Sequence, residues 1–224
     1  MRFDKAFERV VGRLQTTRTS WPQAPGELLP VFTDGRLRPR LKPTETARPA
    51  AVLVLVYRDL LGEARLVLTE RLTYDGHHSG EVSFPGGKAE PEDGDATATA
   101  LREAHEEIGL DPDLIEFKVA GILDEVFIPV SDFRISPIVG VALKPPDLTP
   151  NSAEVARILT PPVDVFLPGA PIEMVERTLG DWPLRYGGYR IDGLHVWGAT
   201  ARILGQLGAI LGDDAAGGEI EGAV

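Results

Sequence analysis

The 224-residue chain contains no cysteine. That excludes a disulfide framework, a thiol nucleophile and cysteine-ligated zinc, and it suits a cytoplasmic protein. Positive charge is scarce: 23 Lys and Arg stand against 34 Asp and Glu, a formal net charge of −11. So acidic a balance argues against nonspecific nucleic-acid binding, which needs a basic surface. A phosphorylated small molecule stays compatible with it if a metal supplies local positive charge. No apolar run approaches the roughly 20 residues of a membrane span. The opening stretch, MRFDKAFERVVGRLQ, is charged and amphipathic rather than a signal peptide. There is no internal repeat and no convincing linker. What is present, 43% hydrophobic and 25% charged residues, suffices for one globular domain with a buried core.

Phe3 to Leu14 reads as an amphipathic helix, with Phe3, Phe7, Val10, Val11 and Leu14 on one side. Residues 16–49, rich in Pro, Thr and Arg, read as an extended arm over the core. Ala50–Tyr57 is a continuous apolar run and reads as a buried strand. A turn at Gly62 leads to a hairpin partner over Ala64–Glu70. A loop over 72–80 carries Gly76, His77, His78 and Gly80, and Glu81–Phe84 is a short strand. Asp93 or Asp95 N-caps a helix over 96–108, and Gly109 suits the position just past its end. Phe117–Leu123 and Ile135–Leu143 are strands, with a loop over 124–133 between them. A loop at Pro145–Asn151 precedes a strand over Glu154–Thr160. Ile172–Leu179 and Leu184–Ile191 form a hairpin across Gly180-Asp181. Gly198–Leu211 is a helix, and an acidic, Gly-rich tail over 212–224 is expected to be disordered.

The most informative stretch joins Phe84-Pro85-Gly86-Gly87 to Ala100-Leu101-Arg102-Glu103-Ala104-His105-Glu106-Glu107-Ile108-Gly109-Leu110. Positions i, i+3 and i+4 of a helix share a face, so Glu103, Glu106 and Glu107 stand together. Like charges so placed repel one another unless a cation sits among them. A hard divalent ion such as Mg²⁺ takes oxygen ligands of this kind. The Gly86-Gly87 turn lets backbone come close, and a carbonyl there, at Gly87, can join the ligand set. Arg102 can tie the helix to Glu92 or Asp93 of the preceding loop. A bare REAHEE hexapeptide would read as a solvated charged face. With FPGG before it and Ile-Gly-Leu after it, the metal-site reading takes precedence.

These residues resemble the Nudix box: Gly, five residues, Glu, seven residues, then Arg-Glu-aliphatic-any-Glu-Glu-any-Gly-aliphatic. Arg102, Glu103, Ala104, Glu106, Glu107, Gly109 and Leu110 match its second half. In the first half Gly87 lies one residue too far from Arg102, and a one-residue insertion puts Asp93 in the role of the first Glu. The same insertion resembles the coenzyme A pyrophosphatase branch, as do Leu68–Arg71, His78–Gly80 and His195–Leu204. Within that branch's upstream motif Leu68, Thr69, Arg71, Gly80 and Phe84–Gly87 are kept, whereas Val67, Leu72 and Gly76 stand where the branch has Leu, Ser and Arg.

The resemblance implies an α/β (α+β) fold, an α/β/α sandwich with a mixed sheet. It divides the chain into an arm at 1–48, a domain at 49–211 and a tail at 212–224. It implies a Mg²⁺- or Mn²⁺-dependent hydrolase of a small nucleoside-diphosphate substrate, coenzyme A-like, with no nucleic-acid or membrane partner; a homodimer is compatible with it. Glu103 and Glu107 are the first implied metal ligands, with Glu106 a third and the Gly87 carbonyl beside them. Arg102 and Glu154 complete the catalytic set, Glu154 being a candidate base for water. Arg71, His78, Gly86 and Arg134 are candidate substrate contacts. Asp124 and Glu125 lie in a loop that could also reach the metal. His105 is expected to face outward, and Trp182, Trp197, Tyr186 and Tyr189 to pack in the core. The competing readings are another nucleoside-diphosphate derivative, such as ADP-ribose or a dinucleotide, and a binding module without catalysis.

Overall fold

The computed structural model describes residues 1–15, 21–37, 42–72, 80–179 and 182–212. Gly76, His77, His78, the turn at 180–181 and the tail from 213 lie outside the described residues. Helix α1 (Phe3–Leu14) comes first, then β1 (Val31–Phe32), β2 (Arg48–Arg58), β3 (Ala64–Leu66), β4 (Leu68–Arg71), β5 (Val82–Ser83), β6 (Gly86–Lys88) and helix α2 (Ala96–Ile108). There follow β7 (Phe117–Ile122), β8 (Val126–Ile128), β9 (Phe133–Ala142), β10 (Val155–Leu159), β11 (Glu173–Leu179), β12 (Trp182–Ile191), β13 (Leu194–Val196) and helix α3 (Gly198–Gly212).

The alternation of side chains along β2 organises the molecule. Ala51, Leu53, Leu55 and Tyr57 face one way, against Ala100, Ala104 and Ile108 of α2. Val54 and Val56 face the other way, into a second cluster with Phe3, Ala6 and Val10 of α1 and Leu204, Leu207 and Leu211 of α3. Because both faces are covered, β2 reads as a continuous apolar run rather than an alternating one. It pairs in parallel with β9 from Arg48↔Phe133 to Tyr57↔Ala142, and antiparallel with β3 and β6; β7 and β8 pair with β9. The result is a six-stranded mixed sheet between helical layers, an α+β fold of the α/β/α kind. Two smaller sheets, β10-β4-β5 and β1-β12-β11, flank it.

The single strand expected over Ala64–Glu70 is two strands. Residues Ala64–Leu66 complete the hairpin with β2, whereas Leu68–Arg71 leaves it to pair with β10 and β5. Leu66, Val67 and Leu68 are all fully buried, so the run crosses between sheets through the core, where periodicity carries no sign of the change. The expected loop over 124–133 contains β8, added to the β9 edge. Trp182 is 41% exposed and lies against Phe32 at a ring separation of 5.8 Å, so the expectation of a core residue fails there. Tyr186 and Tyr189 are buried as expected, and Trp197 stacks on Tyr186 at 4.9 Å. Among the described residues, no helix is long and apolar enough to cross a membrane.

Candidate active site

Helix α2 has a defined start and stop. The Asp95 carboxylate accepts from the Ala98 N–H at 2.8 Å, as an N-cap does. At the other end Gly109 takes φ 66°, and the N–H groups of Gly109 and Leu110 donate to the His105 and Ala104 carbonyls, the pattern of a left-handed glycine stop. Asp93 is therefore free for another task. Its two oxygens receive Nε and Nη2 of Arg102, each at 3.0 Å, in the fork geometry that a guanidinium matches best. The Thr99 hydroxyl and the Glu90 N–H also donate to Asp93. The Arg102 guanidinium holds the Asp93 carboxyl well below the usual carboxylate range, its first cause, with the Glu90 N–H next.

Arg102 is a hub. Nη2 also donates to the Lys88 carbonyl at 3.0 Å, which ties β6 to the helix. Nη1 lies 3.1 Å from both Glu103 Oε1 and Glu106 Oε2. That contact divides the three glutamates. The Glu106 side chain is 53% exposed beside Arg102. Glu103 and Glu107, at 16% and 4%, turn inward beneath the Gly86-Gly87 backbone. Oε2 of Glu107 accepts from the Gly86 N–H at 3.2 Å, and its Oε1 is 3.9 Å from Nη1 of Arg71. Burial pushes Glu107 up to about 7, against the partial relief of the Gly86 N–H and Arg71. Burial also raises Glu103, with Arg102 opposing it and Glu106 and Glu154 adding to it.

The glycines shape this pocket. A Cβ at Gly87 would sit 2.5 Å from the Glu103 carboxylate. At Gly86, where φ is 153°, it would meet the Ala51 carbonyl at 2.4 Å. The ladder also decides which carbonyl faces the carboxylates. Leu53 N–H donates to the Pro85 carbonyl and Ala89 N–H to the Pro49 carbonyl. In an antiparallel ladder, hydrogen-bonded pairs recur at every second residue, so the Ala51↔Gly87 pair between them exchanges its own bonds. The Gly87 carbonyl is thereby directed at β2, and the neighbouring one turned away from β2 is that of Gly86. The ligand role expected for the Gly87 carbonyl fits Gly86 better.

Two desolvated carboxylates with raised proton affinity, in a cradle that a Cβ would fill, suit a hard divalent cation. Among the described residues no three such side chains are gathered at metal-ligand spacing. Backbone carbonyl, water and substrate phosphate would supply the remaining oxygens, as Mg²⁺ commonly accepts.

The other candidates divide. Exposed Glu154 lies close enough to raise both Glu103 and Glu107. Its backbone is held by Leu72 and Asn151. Arg134 sits 3.6 Å from Glu125, and both line a cavity of about 250 Å³ beside Asp93, Asp95 and Thr99. That cavity borders the start of α2, and its lining does not include Glu103 or Glu107. Asp124 accepts from the side-chain amides of Gln206 and Gln23, which engages it with α3 and the arm. His105 is exposed, as expected. His78 lies outside the described residues. Sequence reasoning missed Asn151, whose N–H donates to the Glu107 carbonyl at 2.8 Å; its only signal was an Asn in a Pro-rich loop.

The NUDIX domain profile matches residues 47–169. The chain is 40% identical over 169 residues to Nudix hydrolase 22, chloroplastic, of Arabidopsis thaliana, covering 70% of this chain and 53% of that protein. It is 35% identical over 185 residues to the uncharacterized Nudix hydrolase NudL of Enterobacter sp. (strain 638), covering 79% of this chain and 90% of that protein. A crystal structure of a Nudix hydrolase from M. smegmatis, RenU, superposes with a TM-score of 0.44 at 22% identity, covering 66% of this chain and 82% of the other. The chain belongs to the Nudix family. It spans only about half the length of the plant relative.

Proposed function

We propose that the chain is a divalent-metal-dependent pyrophosphohydrolase acting on a nucleoside-diphosphate derivative. The observation that carries the reading is the pair of desolvated carboxylates, buried Glu107 and part-buried Glu103, held under a glycine turn with raised proton affinity. Glu103 and Glu107 would hold Mg²⁺ or Mn²⁺, with the Gly86 carbonyl beside them, and Glu106 would act through Arg102. The cation supplies positive charge for the diphosphate and acidity for water. Glu154 accepts the proton of the attacking water; a new oxygen–phosphorus bond forms as the bridging one breaks. Arg71, beside Glu107, contacts a phosphate. Arg102 and Asp93 keep helix and loop in register.

The preferred substrate is coenzyme A or an acyl derivative, cleaved to 4′-phosphopantetheine and adenosine 3′,5′-bisphosphate. Leu68, Thr69, Arg71, Gly80 and Phe84–Gly87 support that choice. Gly76, standing where the branch has Arg, favours ADP-ribose or a dinucleotide as the second reading. The setting would be cytoplasmic, consistent with the cysteine-free composition. The test is a substrate panel of coenzyme A, ADP-ribose and NADH, with and without Mg²⁺. Metal-dependent release of adenosine 3′,5′-bisphosphate from coenzyme A is the expected result. Turnover of ADP-ribose or NADH alone would replace the substrate. No turnover of any of them, with nucleotide binding retained, would replace the enzyme by a binding module.

A further inference from the structure

The end of helix α2 shows a second device. The Gly109 stop satisfies the Ala104 and His105 carbonyls. It leaves the last carbonyls, Glu107 and Ile108, in need of donors, as every helix C-terminus does. The loop 145–151 provides them: Thr149 N–H donates to Ile108 at 2.9 Å and Asn151 N–H to Glu107 at 2.8 Å. Leu148 packs into the α2 core cluster and fixes the approach of the loop. The same Asn151 then builds the next turn. Its side-chain oxygen accepts from Ala153 N–H at 3.1 Å, an Asx turn. Its carbonyl accepts from Glu154 N–H at 3.0 Å and Val155 N–H at 2.8 Å. From the other side Leu72 N–H donates to the Glu154 carbonyl at 3.1 Å, and Leu72 follows Arg71, whose guanidinium faces Glu107.

We propose that Asn151 is a positioning residue that joins the backbone of Glu107 to the turn carrying Glu154 and so sets where the Glu154 carboxylate stands over the Glu103–Glu107 pair. The proposal rests on the hydrolase reading above. It adds a specific claim to it: Asn151 touches neither metal nor substrate and acts only through Glu154. A single hydrogen-bonded residue spans the two groups, so a loosened turn would move Glu154 without disturbing the helix. Misplacing a reacting group by about 1 Å costs on the order of 10²-fold in rate.

The test compares N151A, N151D, E154Q and the N151A/E154Q double variant in the full chain, with two readouts. The first is kcat and KM on whichever of coenzyme A, ADP-ribose or NADH the wild type turns over fastest. N151A is expected to lower kcat by roughly 10- to 100-fold with KM within about threefold. N151D, which keeps the acceptor oxygen, should recover most of that loss. The double variant should be no slower than E154Q alone. The second readout is Mn²⁺ affinity by electron paramagnetic resonance, which needs no turnover. N151A and E154Q should weaken it by the same factor, and the double variant no further. Losses that multiply in the double variant, or an N151D protein that melts like wild type and shows no recovery, would overturn the proposal. Wild-type protein that binds Mn²⁺ but turns over nothing would remove the hydrolase reading, and the Mn²⁺ comparison would still decide the role of Asn151. Wild-type protein that binds no Mn²⁺ would overturn both.

Discussion

Replacing Glu107 by Gln should make the metal-free protein more stable while removing its activity, and the gain should depend on pH. Burial raises the Glu107 carboxyl from 4.5 to about 7. The folded protein therefore binds this proton more tightly than the unfolded chain does, and stability falls as pH rises. The penalty is small below 4.5, grows between 4.5 and 7, and is complete above 7. At 1.36 kcal/mol per pH unit of displacement it reaches roughly 3 kcal/mol in alkaline solution. Gln is nearly isosteric, and its Oε1 can still accept the Gly86 N–H that now bonds Glu107. Urea unfolding in EDTA should place E107Q above wild type by about 3 kcal/mol at pH 8.5 and by about 1 kcal/mol or less at pH 5. Saturating Mg²⁺ should reverse the order, since a ligand that binds only the folded state stabilises the variant that retains its site. A gain that does not change between pH 5 and pH 8.5, or a destabilised E107Q at pH 8.5, would refute the claim that Glu107 is held charged at a cost.

G87A puts a methyl group 2.5 Å from the Glu103 carboxylate; Mn²⁺ affinity should fall at least about tenfold by titration calorimetry, a scale typical of disturbed ligand orientation, while the melting temperature changes little. R102K keeps the charge but loses the two-point grip on Asp93 and the bond to Lys88; both kcat and melting temperature should drop, and a full-rate R102K would remove Arg102 as the hub. G208A places Cβ 1.8 Å from the Phe166 carbonyl; overpacking of this kind costs roughly 1–3 kcal/mol, visible in urea unfolding with kcat unaffected.

The layers were legible because both faces of β2 and the apolar stripe of α2 leave periodic or continuous signals. The bounds of α2 were legible because Asp95 and Gly109 are chemically suited to helix ends. The divided strand at Val67 was not, since a fully buried run looks the same whether it stays in one sheet or crosses to another. Strand β8 was hidden for a different reason: only three residues pair, along the rim of a sheet whose central strands carry the pattern. Trp182 misled because residue type alone favoured burial, whereas it sits at the first pair of the β12 hairpin, opposite Leu179.

At the candidate site the resemblance ranks Glu103 and Glu107 ahead of Glu106 as ligands, but the physical basis for setting them apart is not legible in the sequence. Spacing puts Glu103, Glu106 and Glu107 on one helical face, and nothing in that spacing distinguishes them. The distinction comes from Arg102, whose Nη1 reaches Glu106 and Glu103 together while Nε and Nη2 are committed to Asp93. A single guanidinium cannot neutralise three carboxylates. It compensates Glu106 at the surface and Glu103 in part, and among the described residues leaves the Glu107 carboxylate with the Gly86 N–H and a distant Arg71. Burial is therefore least offset at Glu107, where a cation would recover most. The same residue offers its backbone carbonyl to Asn151, so the least compensated charge and the anchor of the Glu154 turn occupy one position. That coincidence lets changes at Glu107 and at Asn151 be told apart: the first removes the pH-dependent penalty of the metal-free protein, and the second should keep it, less only the minor share that Glu154 contributes.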